Sequence, residues 1–171
     1  QALAENALAV GTNAQAEGVS SGAIGTKNRV TGVNTYVLGS QNSTVATGTA
    51  ADISASNSGI FGNENRMEGD SNRIVGNNNI LKMESLSNNS SNPKAFKNIF
   101  VTGNQNTVTG DPDTNTAGDA GNVSDIAITG SQNTIRAKNQ RNKDLTDIQI
   151  IGKQNTLDAT TQNADLSNTQ V

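Results

Sequence analysis

The side chains able to do chemistry fall in a few short stretches of this 171-residue chain. Asp111, Asp113 and Asn115 stand one residue apart, the spacing at which an EF-hand loop presents its first calcium-ligating oxygens. Thr116 then stands where that loop needs a turn glycine, and Asn122 where it needs a bidentate glutamate, so no metal site is expected in residues 111–121. Residues 136–146 carry Arg136, Lys138, Arg141 and Lys143, which suit an acidic glycan or receptor patch, or else form a solvated charge run paired with the acidic stretch. Residues 82–97 carry Leu86, Lys94, Phe96 and Lys97. Phe96 and Leu86 there are either an apolar anchor for a receptor or a cover for the chain's own core. Residues 47–57 offer only small side chains and a lone Asp and Ile.

What is missing narrows the chemistry further. With neither Cys nor His there is no disulfide, thiol nucleophile, imidazole zinc site or Ser-His-Asp triad, so a non-enzymatic protein without cofactors is expected. A net charge of −3, one Tyr, three Phe and no Trp argue against nucleic acid, which favours a basic face with stacking aromatics. No apolar run reaches the roughly 18 residues of a membrane span, and no basic stretch leads into an apolar segment at the start. A soluble segment is expected, one that a longer exported chain could contain.

The elements that position these stretches repeat. Short apolar runs end on Gly11, Gly25, Gly39, Gly62, Gly76, Gly103, Gly130 and Gly152. Three residues after all but the first comes an asparagine: Asn28, Asn42, Asn65, Asn79, Asn106, Asn133 and Asn155, with Ala14 in the first unit. Five residues after the glycine comes an apolar side chain in most units, as in Val30, Met67, Leu81, Val108, Ile135 and Leu157, with Ala16 and Thr44 the weaker members. A second glycine follows at the seventh place in Gly18, Gly32, Gly69 and Gly110. Successive anchor glycines are 14, 14, 23, 14, 27, 27 and 22 residues apart, a base period of 14 with four insertions. That pattern predicts a solenoid with one coil per repeat.

Fourteen residues cannot hold a helix and return. Each unit reads as two very short strands, supported by Ile, Val and Thr and by the alternation in Ile126-x-Ile128 and Ile148-x-Ile150. The glycine supplies a positive φ or room for the next coil, and the asparagine suits a left-handed corner. Stacked at about 4.8 Å, such asparagines form a ladder, and eight coils make a rod of roughly 35–40 Å. Asn, Thr, Gly and Ser make up 77 of the 171 residues, while Leu, Ile, Val and Phe supply only 34. So thin a core struggles to offset roughly 1.5 kcal/mol of ordering entropy per residue, and several chains are expected to share it.

The units 6–18 (Asn-Ala-Leu-Ala-Val-Gly-Thr-Asn-Ala-Gln-Ala-Glu-Gly) and Asn34-Thr-Tyr-Val-Leu-Gly-Ser-Gln-Asn resemble the 14-residue repeats of YadA-like heads in trimeric autotransporter adhesins, over roughly residues 5–160. The resemblance implies an all-β, left-handed parallel β-roll of about eight 14-residue coils with loop insertions, assembled as a homotrimer. It implies a bacterial cell-surface location, with the head projected outwards and the outer membrane reached only through a C-terminal anchor outside this sequence. Partners implied are a host surface protein such as a carcinoembryonic-antigen-related adhesion molecule, or a matrix protein such as collagen, fibronectin or laminin. Residues 1–160 are expected to form the head. The neck of such heads is not recognisable in Asp158–Val171, so residues 161–171 are expected as a tail leading towards neck and stalk, or disordered.

Two other classes remain open on sequence. A carbohydrate-binding or carbohydrate-acting β-helix, such as a phage tail spike or polysaccharide lyase, works without His, though its coils are generally longer and its carboxylates share one face. An ice-binding solenoid needs regular Thr-x-Thr ranks, and Thr47-x-Thr49 and Thr107-x-Thr109 stand alone. Binding specificity is expected on the insertions or on an exposed face, since the repeats serve as scaffold.

Overall fold

The repeats build three parallel sheets. A computed structural model describes residues 1–44, 55–83, 96–112, 123–140, 145–159 and 166–171, and it is all-β with no helix among them. The strands that run into the anchor glycines are β1 (Leu8–Val10), β3 (Gly22–Thr26), β5 (Tyr36–Ser40), β6 (Gly59–Asn63), β8 (Arg73–Asn77), β10 (Phe96–Asn104), β12 (Val123–Ser131) and β14 (Leu145–Lys153). With β16 (Leu166–Gln170) they form one nine-stranded sheet in chain order. The strands that follow the glycines form a second sheet of β7 (Arg66–Met67), β9 (Ile80–Met83), β11 (Thr107–Pro112), β13 (Thr134–Gln140) and β15 (Thr156–Ala159). A two-stranded piece, β2 (Gln15–Ala16) and β4 (Arg29–Val30), connects to it through single bridges at Ser43. This arrangement is consistent with a β-solenoid or roll.

The register follows the repeat and ignores the insertions. Gly25, Gly39, Gly62, Gly76, Gly103, Gly130 and Gly152 are consecutive strand partners although they lie 14 to 27 residues apart. In each of the four long units the residue seven past one anchor glycine and the residue seven before the next are different, whereas in a plain unit they are one residue, as at Gly18, Gly32 and Gly69. Each anchor glycine has a φ between 112° and 143°. At Gly103 a Cβ would also overlap the carbonyl oxygen of Gly130. The close approach and the left-handed conformation both demand glycine.

The corner itself lies one residue away from its expected place. Sixteen described non-glycine residues hold φ between 51° and 61°. Half of them stand two residues after the anchor glycine, as Asn13, Lys27, Gln41, Glu64, Asn78, Gln105, Gln132 and Gln154, and half stand five before it, as Asn6, Ser20, Asn34, Asn57, Ser71, Asn98, Asp125 and Asp147. The repeat asparagines, three after the glycine, are therefore not corner residues. They turn inward, and Asn28, Asn42, Asn65, Asn79, Asn106 and Asn133 are buried.

Between the sheets lies one continuous core. The long sheet contributes Ala23, Val37, Ile60, Ile74, Val101, Ile128 and Ile150, and the opposing strands contribute Ala16, Val30, Met67, Leu81, Val108 and Ile135. The core widens along the chain. Four residues before the glycine, buried Ser21, Thr35, Ser58 and Asn72 give way to buried Ile99, Ile126 and Ile148. Seven before it, Gly18, Gly32, Ala55 and Gly69 give way to Phe96, Val123 and Leu145. Strands lengthen accordingly, from three to five residues in β1, β3, β5, β6 and β8 to nine in β10, β12 and β14, so the later strands are not the very short ones expected. Within residues 161–171, expected as a tail, Leu166–Gln170 forms β16, which pairs with β14 from Leu145↔Leu166 to Gln149↔Gln170.

Candidate functional site

Among the described residues, those singled out for receptor contact do not gather in one place. Leu86, Lys94, Arg141 and Lys143 lie outside the described residues. Phe96 opens β10 with only 4% of its surface exposed, and its ring lies beside Gly69, Gly110 and Val123. It fills the core, which was the packing alternative for this side chain. Lys97 is exposed on the long sheet, whereas Arg136 is exposed on β13 of the other sheet. The Arg136 guanidinium is 3.7 Å from the Asp158 carboxylate, an exposed pair of small energetic weight. Lys138 is a β13 position whose backbone is the strand partner of Asp111, so the basic and acidic stretches begin side by side.

At the corner of the long sheet, Asp125 accepts hydrogen bonds from the Ser124 hydroxyl (2.8 Å) and the Asn98 amide (2.9 Å). These two bonds, and then the nearby Lys97 charge, hold its carboxyl below the usual range. Among the described residues no three His, Cys, Asp or Glu side chains are grouped so as to hold a metal ion.

The structural asparagines form a fully satisfied ladder. Each amide nitrogen from Asn42 to Asn133 donates to the side-chain oxygen of the previous asparagine at 3.0 Å. It also donates to the carbonyl of the next anchor glycine, as from Asn79 to Gly103 (2.7 Å) and from Asn106 to Gly130 (2.9 Å). Each side-chain oxygen in turn accepts from the next asparagine's backbone N–H, as Asn79 does from Asn106 at 3.0 Å. A second, exposed ladder joins Asn63, Asn77 and Asn104, one residue past the glycines, at 3.0 and 3.1 Å.

Among the described residues, the broadest surface feature is one the sequence reading did not single out. The residues one and three places before each anchor glycine point away from the core, and many are large and apolar. Leu8, Val10, Tyr36, Leu38, Phe61, Val75 and Phe100 are 38% to 59% exposed. At about half exposure, side chains of this size present roughly 600–700 Å² of apolar surface, at or above the largest patch of a typical monomer. Arg73 is the one charged residue in these two rows, and its guanidinium lies 5.0 Å from the centroid of the Phe100 ring. Tyr36, Leu38, Phe61, Val75, Gly22 and Gly59 line a shallow hollow on the face, about 250 Å³ in volume.

A sequence signal for this face exists. Leu8-Ala9-Val10, Tyr36-Val37-Leu38 and Ile99-Phe100-Val101 are unbroken apolar triplets. A strand wet on one face alternates, and an unbroken run marks one covered on both.

No family model, no curated protein and no solved structure matches this chain.

Proposed function

We propose that this chain is the head of a bacterial surface adhesin: a left-handed β-roll of about eight 14-residue coils, three copies packed side by side, binding host receptors or matrix proteins without catalysis. One observation carries the proposal, the apolar outer face of the nine-stranded sheet. Its roughly 600–700 Å², which three-fold packing divides between two neighbours, is at or above the largest apolar patch of a typical monomer. Three copies sharing that face add the core that a chain so rich in Asn, Thr, Gly and Ser lacks by itself. Once that face is covered, Lys97, Arg136 and the four insertions are left for a receptor.

Light scattering on the folded protein tests the assembly. The expected mass is three times the 17.6 kDa of one chain, and a monomer at concentrations where the protein is folded overturns the trimer. Retention on a panel of immobilised host ectodomains and matrix proteins tests the adhesin. Specific retention on at least one of them is expected, and turnover of a polysaccharide with no retention would replace adhesion with carbohydrate chemistry.

A further inference from the structure

We propose that the hollow beside Gly59 receives Phe61 of a neighbouring copy, locking the copies parallel and in register; the contact presupposes the trimer proposed above. Gly59 is the starting point because the chain's own fold does not require it. Its φ is not in the left-handed region, and a Cβ there would meet nothing closer than the Tyr36 carbonyl oxygen at 3.8 Å. The anchor glycines differ, since each has a positive φ and all but the last would also drive a Cβ into the next unit's backbone. A strand glycine without a local reason weakens the strand and marks close approach by something else.

The same face supplies the occupant. Two residues on from Gly59, Phe61 projects from the parallel row with 59% of its surface exposed. Rotation about a three-fold axis keeps every unit at its own height and sets one margin of each face against the opposite margin of the next. The row holding Gly59 then meets the row holding Phe61 at the same level, small against large. The other glycine of that row, Gly22, is already covered from within, because a Cβ there would come 2.7 Å from the Tyr36 ring. Gly59 has no such cover. The hollow, at about 250 Å³, is smaller than the roughly 300–1,000 Å³ of small-molecule sites and is of a size for one aromatic side chain. Arg73 on its rim adds a cation to face the incoming ring. A shift of one unit between copies would put Phe61 against Tyr36 or Arg73 instead, so the pair sets the register as well as the contact.

The test uses the whole chain and three variants, Gly59→Leu, Phe61→Ala and the exchange Gly59→Phe with Phe61→Gly, each checked for folding by circular dichroism and followed by sedimentation against concentration. Gly59→Leu and Phe61→Ala are each expected to raise the concentration for half-assembly at least tenfold. The exchange, which restores one large and one small residue at that level, is expected to recover most of the loss. Phe61→Ala removes an exposed side chain and leaves the core rows intact, so it decides the matter if Gly59→Leu fails to fold. A trimeric wild type whose assembly neither single variant weakens overturns this contact and leaves the trimer standing. A monomeric wild type overturns the trimer itself, and this contact with it.

Discussion

A buried amide has four hydrogen-bonding sites to satisfy, and the ladder satisfies all four in Asn42, Asn65, Asn79 and Asn106. Asn106 donates to Asn79 and to the Gly130 carbonyl and accepts from the backbone and side chain of Asn133. Asn106→Ala strands partners on both sides. At about 1–3 kcal/mol for each buried group left unpaired, it is expected to cost about 3–5 kcal/mol, measured by urea unfolding. Asn106→Asp keeps the size and removes the donors. Its buried carboxyl is expected to titrate above the ordinary range, so this variant is the less stable of the two at neutral pH. Its stability is expected to rise as pH falls through that raised value, until the ordinary carboxyl range is reached. Equal costs for the two variants at pH 7 would show that the site is wetter than the ladder implies. The sequence displayed these asparagines plainly but not their role. Asparagine is the habitual left-handed residue, so the repeat pointed to a corner. Of the true corners, those two residues after the glycine include Lys27, Gln41, Glu64 and Gln105, side chains whose types announce nothing about φ, whereas those five before it are Asn, Asp or Ser.

The elements differ in strength from one end of the sheet to the other. Early units fill the inner rows with Ala23, Ser21 and Gly18, whereas later ones place Ile128, Ile126 and Val123 at the same levels. Burying one aliphatic side chain contributes about 1.5–3 kcal/mol, so each later unit holds its strands several kcal/mol more firmly. Hydrogen exchange is expected to be fastest in β1 and β3 and slowest in β10, β12 and β14. Ile126→Ala is expected to cost about 3–4 kcal/mol, against about 1 for Ser21→Ala, whose hydroxyl donates only to Gly18. Uniform protection across the sheet would contradict this gradient. The alternation before each glycine gave away the repeats and their register. Strand length did not show, because Phe96, Val123 and Leu145 are separated from the alternating run by Lys97-Asn98, Ser124-Asp125 and Thr146-Asp147. β16 was hidden for a related reason, since Leu166-Ser-Asn-Thr-Gln170 carries one apolar side chain and no anchor glycine.

For the molecule as a whole, the insertions share one address. Met83 stands seven residues past Gly76 and Phe96 seven before Gly103, and in a plain unit these two places are one residue, as at Gly32 between Gly25 and Gly39. Removing residues 84–96 and changing Met83→Gly therefore restores a 14-residue unit, with its glycine where Gly69 stands in the unit before. The register between Gly76 and Gly103 does not depend on the removed residues, and neither do the outward rows that hold Phe61 and Phe100. The shortened chain is expected to fold and to keep the oligomeric mass of the parent. It should melt lower, because the Phe96 ring no longer fills the space beside Gly110 and Val123. Retention on the receptor that holds the parent protein is expected to drop to background, since this insertion carries Leu86 and Lys94, the apolar and basic side chains read as receptor contacts. Retention at the parent level by a folded variant would move the contact away from this insertion, to one of the other three insertions, to Lys97, to Arg136 or to the exposed ladder of Asn63, Asn77 and Asn104. Single changes at those positions, and removal of each remaining insertion in turn, would then separate the alternatives.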